Sequence, residues 1–183
     1  MTDETFRPDC ARCAALCCIG LAFDRGPLFG YDKPAGDPCR HLGADDRCRI
    51  HAELDARGFG GCVAYDCLGA GQAVTQDLCG GRSWREDPAL LAPMMAALAA
   101  IRRAHELILL LRQAKTLALP PPMLIALEDL EIRLMPEPGW TLADISSGAV
   151  DAVAHEARRF LTTLAPYAPA RPQAGTSPST VVR

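Results

Sequence analysis

Apolar and polar positions follow two different rhythms along this chain, and the change comes near residue 87. Beyond it, Leu91, Met94, Leu98, Ile101, His105, Ile108 and Leu111 recur at the 3.6-residue period of a helix. The apolar cluster at 107–111 widens that stripe until nearly the whole circumference is hydrophobic, so neighbouring elements must bury it. Asp87-Pro88 supplies a capping carboxylate followed by proline in the first turn. Pro93 fits poorly inside a helix, which predicts regular structure only from that point. The triple proline at 120–122 reads as the end of this helix. Met123, Leu127, Leu130 and Leu134 mark a second one, stopped by Pro136-Glu137-Pro138-Gly139. Thr141 and Asp144 have the spacing of a capping box and open a third stretch with Leu142, Ile145, Val153, Phe160 and Leu164 on its stripe. Ser146-Ser147-Gly148 predicts a break within it.

Residues 1–81 lack such periodicity and are dense in glycine and proline, which predicts loops and single-turn helices. A two-turn helix is expected over 50–57, with Gly58 at a left-handed C-terminal cap, and another over 72–78, closed by Gly80-Gly81. Leu21, Phe23, Phe29 and Tyr31 have the spacing of a small hairpin. The pattern therefore divides the chain into a cysteine-rich module at 1–81, a helical unit at 82–165 and a flexible tail at 166–183. The expected fold class is mainly α, a loop-rich cysteine metal knuckle packed on a three- or four-helix unit.

Composition sharpens this picture at two points. The 183 residues carry a formal net charge of -3, which argues against nucleic acid or an anionic membrane as partner, because either needs a basic surplus. No secretory-type N-terminus and no spanning apolar run is visible, which sets a cytoplasmic address as the expectation. The second point is cysteine: there are nine, eight of them within the first 67 positions. In a reducing compartment, cysteines at this density read as metal ligands before they read as disulfides. Free cysteines acting as small core hydrophobes are the other alternative.

Cys10-x2-Cys13-x3-Cys17-Cys18 is the strongest chemical signal. Two cysteines two residues apart can wrap one ion while turn amides stabilise their thiolates. Adjacent side chains such as Cys17 and Cys18 diverge, so one is expected to point to one ion or cluster and the other elsewhere. Cys39, Cys48, Cys62 and Cys67 complete eight thiols, and His51 joins them as a candidate ligand. His41 stands two residues past Cys39. This donor set suffices for two tetrahedral zinc sites, or for an iron-sulfur cluster with one zinc. Zinc is the first expectation, iron or an iron-sulfur cluster the alternative, and copper(I) a further thiolate-seeking ion. Arg12, Arg40, Arg47 and Arg49 lie beside the thiols, as counter-charges or as plain surface residues. Cys79 has no partner spacing and reads as a buried or free thiol. His105 reads as a hydrogen-bonded core histidine, with a metal or proton-transfer role as the alternative. Asp151 and His155 have the spacing of an exposed helical pair. Gly69-Ala70-Gly71-Gln72 reads as a turn rather than a phosphate nest. No nucleophile elbow, Walker loop or dinucleotide fingerprint is present.

With Pro38-Cys39-Arg40-His41-Leu42, Arg47-Cys48-Arg49-Ile50-His51, Gly61-Cys62 and Asp66-Cys67, the cluster resembles the YkgJ-type cysteine-cluster family. That family is described as a zinc- or iron-chelating domain. The spacing before the double cysteine is one residue longer here, and 55–60 departs from the family pattern. The chain also resembles the N-terminal cysteine-rich module of actinobacterial pentapeptide-repeat proteins. Gly58-Phe59-Gly60-Gly61-Cys62, Tyr65-Asp66-Cys67-Leu68-Gly69-Ala70-Gly71-Gln72, Trp84-Arg85 and Arg103-Ala104-His105-Glu106-Leu107 carry that likeness. The repeats themselves are absent, so nothing that depends on them carries over. The resulting expectation is a metal-binding, non-enzymatic binding or scaffold module that docks a protein partner through its helical unit. An iron-sulfur or redox-active component of a modification enzyme is the alternative.

Overall fold

The computed structural model describes residues 4–169. It is mainly α, with seven helices and no strand among the described residues. The expected tail falls largely on 170–183, outside the described residues, while Ala165–Tyr167 forms one further 3-10 turn.

The helical half is built as its stripes demand. Asp87 caps the chain by accepting from the Ala89 amide, and a 3-10 turn at Pro88–Leu90 feeds directly into α4, Leu91–Ala114. Three short helices, α1 to α3, precede it and are placed below. Pro93 does not delay α4. It occupies the third helical position, where its missing N–H has no intrahelical acceptor to lose. Nor does the triple proline end α4, which stops at Ala114. Pro121 and Pro122 instead occupy the first positions of α5, Pro121–Leu134, where a fixed φ is pre-organised for the helix. The Thr141–Asp144 capping box forms on both sides and opens α6, Leu142–Ser147. Gly148, at φ 78°, breaks the stretch and starts α7, Ala149–Thr163.

Leu107, Ile108 and Leu111 of α4 meet Leu127, Leu130 and Leu134 of α5 and Val150, Ala154 and Ala157 of α7 in one core, which Phe6 also enters. Each fully buried leucine there contributes about 1.5–3 kcal/mol. Charges tie the same helices at their edges. Glu131 of α5 receives Arg112 at 2.6 Å and Lys115 at 2.7 Å, and Asp151 of α7 pairs with Arg103 of α4 rather than with His155. No helix of the described residues is long and apolar enough to cross a membrane.

The first half is largely irregular. It contains α1, Leu16–Gly20, α2, Gly60–Ala64, and α3, Ala70–Gln72, which runs into a π-helical turn at Ala73–Leu78. The element expected over 72–78 therefore begins two residues earlier and is wider than an α-helix. Over 50–57 only the 3-10 turn His51–Glu53 forms, although Gly58 does take the left-handed conformation, at φ 78°. The hairpin is reduced to isolated antiparallel bridges, Phe23 with Lys33 and Gly26 with Phe29. A second core joins the two halves: Ala14, Leu16, Ala70, Val74 and Cys79 pack against Leu90, Met94, Ala97, Leu98 and Ile101.

Candidate metal centre

The segment with the first two cysteines folds as a one-turn knuckle. Asp9 accepts from the Ala11 amide and caps the turn Cys10–Arg12, after which Cys13 is extended. Ala15 then adopts a left-handed φ of 54°, uncommon for a residue with a side chain. This reversal starts α1, and the Leu16 amide donates to the Cys13 thiol. Such amide–sulfur bonds favour the thiolate, and two more occur, from His41 to Cys39 at 3.4 Å and from Ile50 to Cys48.

The helical segment 70–78 holds this knuckle from behind. The Asp9 amide donates to Gln72 Oε1 (3.1 Å), Gln72 Nε2 donates to the Arg7 carbonyl (2.7 Å), and Gln76 Nε2 donates to the Arg12 carbonyl (2.7 Å). The buried Ala14 amide donates to Thr75 Oγ1 at 3.0 Å. Gly71 makes the closest approach. A Cβ there would stand 2.7 Å from Cys13 Sγ and 3.8 Å from Cys67 Sγ, so this glycine marks where the two thiols meet. Helix α4 fixes Cys67 from the other side: Arg102 donates to the Asp66 carbonyl (2.9 Å) and His105 Nδ1 to the Leu68 carbonyl (2.6 Å). His105 packs edge-on against Phe6 as well, so it is the hydrogen-bonded core histidine of the plainer expectation.

Cys18 and Cys39 are joined through the backbone, the Cys39 amide donating to the Cys18 carbonyl at 2.9 Å. Cys48 is reached through the bridge between Leu42 and Cys48, and the Leu42 amide bonds the Cys39 carbonyl. Cys62 lies on α2, whose first turn hangs from Phe59. Phe59 is buried in an aromatic nest with Phe23, Tyr31 and His41. The Tyr31 hydroxyl accepts from the Arg40 amide, which leaves its own proton for Cys39 Sγ at 3.1 Å.

The thiols perturb one another in the same arrangement. Burial pushes Cys10 up, with Cys17 and Cys67 adding to it. Burial likewise lifts Cys13 to about 11, against the Leu16 amide, with Cys17, Cys67 and Cys10 contributing. Cys18 donates its proton to Cys17, which holds Cys17 down to about 7 and drives Cys18 upward. Burial and the charges of Cys17, Cys39 and Cys48 raise Cys18 further. Cys48 and Cys62 are raised first by burial, Cys62 to about 11, and both feel Cys39 and Cys17.

Lys33 is the residue the sequence did not single out. It is 3% exposed, and its ammonium donates to the carbonyls of Ile19 (3.0 Å), Leu21 (2.6 Å) and Pro34 (3.1 Å). Those three bonds use all three protons of the group. Burial lowers its pKa, opposed by Cys39, Asp37, Cys18 and Cys17, so a buried cation stands among the thiols.

Among the described residues, no three His, Cys, Asp or Glu side chains already meet in metal-ligating geometry. The donor chemistry nevertheless fits a thiophilic ion: unpaired thiols, amide donors aimed at sulfur, and a buried counter-charge. His51 is exposed on its 3-10 turn and is not among the groups that perturb Cys48, its nearest cysteine in sequence. His41 sits in the aromatic nest, and burial lowers its pKa with help from Arg49, Arg57 and Arg40. Cys79 is buried in the second core, as its lack of partner spacing implies. A groove of about 480 Å³ between α5 and α7 is lined by His155, Glu156 and Arg159 and contains no cysteine.

Over 115 residues the chain is 36% identical to an uncharacterized protein, YybG, of Bacillus subtilis (strain 168). The match covers 63% of this chain and 41% of that protein, so the chain spans less than half of the relative's length. No protein-family model and no solved structure matches the chain.

Proposed function

We propose that this chain is a metal-binding cysteine-cluster protein whose first half takes up zinc through thiolates and serves as a binding or scaffold module. The observation that carries the reading is the amide–sulfur bonding at Cys13, Cys39 and Cys48, with the Lys33 ammonium buried nearby. Thiols that served only as core filler would need neither backbone donors nor a counter-charge. The resemblance of the cysteine spacing to YkgJ-type clusters supports the same reading. The helical half supplies the surface for a protein partner, since α5 leaves Ile125 and Ile132 exposed one heptad apart. The net charge of -3 disfavours nucleic acid in that role.

Elemental analysis of anaerobically purified protein tests the reading. Zinc in a colourless protein is the expected result. Broad absorption near 400 nm with bound iron would shift the reading to an iron-sulfur component. Folded protein free of any metal, or equal metal in the wild type and in Cys13→Ser, would overturn it, with Cys79→Ser as the variant expected to retain its metal.

A further inference from the structure

The eight thiols of the first half hang on two sets of supports. Cys10 and Cys13 lie on the knuckle that Gln72, Thr75 and Gln76 lash to the helical segment 70–78. Cys67 is brought to that segment by Arg102 and His105, and Gly71 leaves room for the Cys13 and Cys67 sulfurs against its backbone. Cys39 and Cys48 belong to the loop at 39–48, which the Cys39 amide joins to Cys18 and which packs through Tyr31 and His41 on Phe59. Phe59 in turn starts the helix that carries Cys62. Cys17 and Cys18 are adjacent on α1, and the Cys39 amide donates to the Cys18 carbonyl.

We infer that the protein holds two metal ions, one in a four-thiolate set of Cys10, Cys13, Cys17 and Cys67, the other in a set of Cys18, Cys39, Cys48 and Cys62. This rests on the metal-binding reading above and assigns its ligands. Adjacent positions on a helical turn leave the backbone about 100° apart, so Cys17 and Cys18, hydrogen-bonded to each other as they stand, can each complete a different set. The mutual perturbations divide in the same way. Cys10 and Cys13 respond to Cys17 and Cys67; Cys18, Cys48 and Cys62 each respond to Cys39; and Cys17, on the short helix α1, acts on members of both sets. The Cys17–Cys18 hydrogen bond then marks the join between the two sets. Two divalent ions, each among four thiolates, leave excess negative charge between them, and there the buried Lys33 ammonium bonds the Ile19 and Leu21 carbonyls at the end of α1.

Full-length protein loaded with zinc alone should bind two equivalents. Cys10→Ser and Cys62→Ser should each retain one. The decisive comparison is between double variants. Cys10→Ser with Cys67→Ser, within one set, should still retain one equivalent, and so should Cys39→Ser with Cys62→Ser. Cys10→Ser with Cys62→Ser, across the sets, should retain none. Wild-type protein loaded with cadmium-113 provides a readout that no folding defect in a variant can mimic, and it should show two four-sulfur resonances. A single equivalent and a single resonance would overturn the two-ion assignment while leaving metal binding intact. Within-set doubles that lose both ions, with cross-set doubles that keep one, would overturn the grouping. Folded wild-type protein that binds no zinc would overturn the metal-binding reading itself, and the assignment with it.

Discussion

Gly71 has no room for a side chain, because the position its Cβ would take is 2.7 Å from Cys13 Sγ. At that distance the sulfur must move, and it is the sulfur the site would place most exactingly. Gly71→Ala is therefore expected to destabilise the protein by about 1–3 kcal/mol and to lower its bound metal. Gly139→Ala, where a Cβ meets nothing within 4 Å, should stay within about 0.5 kcal/mol of wild type and keep its metal. Thermal unfolding and metal content of the two variants check this, and equal behaviour would remove Gly71 from the site. Residue-scale legibility was uneven for a physical reason. The adjacency of Cys17 and Cys18 is read directly from the sequence, whereas the hydrogen bond between their thiols is a feature of the fold. The closeness of Gly71 to two sulfurs is a tertiary approach, and in sequence it looks like any turn glycine. Lys33 was hidden the same way, since Asp32-Lys33-Pro34 reads as a solvated turn until three carbonyls converge on its ammonium. Asp151 chose Arg103 on another helix over His155 on its own, a choice that local spacing cannot foresee.

At the scale of elements, local chemistry was readable wherever it was complete within a few residues. The Thr141–Asp144 box and the Gly148 break need no tertiary partner, and both formed. The prolines at 120–122 were ambiguous because the same residue that ends one helix can begin the next, and only the position of the flanking apolar stripe decides. What holds α4 to α5 at their edge is an ion-paired carboxylate, which gives a pH prediction. Burial pushes the Glu131 carboxyl up, but the ion pairs with Lys115 and Arg112 outweigh it and hold the group below its ordinary 4.5. A carboxylate whose folded pKa lies below its unfolded value contributes stability that is fully present above about pH 4.5. That contribution is lost as pH falls through the lower, folded value. Glu131→Gln should thus cost about 1–3 kcal/mol at pH 7, and the gap to wild type should narrow steadily below pH 4.5. Urea unfolding of both proteins at several pH values measures it. A gap that does not change with pH would assign Glu131 a packing role only.

For the whole molecule, the two cores set what metal removal can do. Among the described residues the α4–α5–α7 core draws only Phe6 from the first half, so its helices have their own hydrophobic stabilisation. The second core is shared: Leu16 and Val74 are 0% exposed against Met94, Ala97 and Leu98, which anchors α1 and the segment 70–78 to α4. Between those anchors, residues 21–69 hold little aliphatic core beyond Ile50 and otherwise pack through the aromatic nest. The sequence showed that the first half was poor in core. It did not show that part of that half is stitched into the helical unit, because Leu16 stands singly among cysteines, and Val74 with Leu78 makes an i, i+4 face too short to name its partner. Chelation should therefore open the chain unevenly. A strong chelator is expected to expose 21–69 to protease first, with early cuts in the turns near Gly36 and Gly58, while α4 to α7 persist as a resistant fragment and most of the helical circular dichroism survives. Limited proteolysis with mass mapping, with and without the chelator, makes the comparison. Cleavage that spreads at once through α4 and α5 would mean that the shared core depends on the metal as well. An unchanged cleavage map would mean that residues 21–69 fold without it.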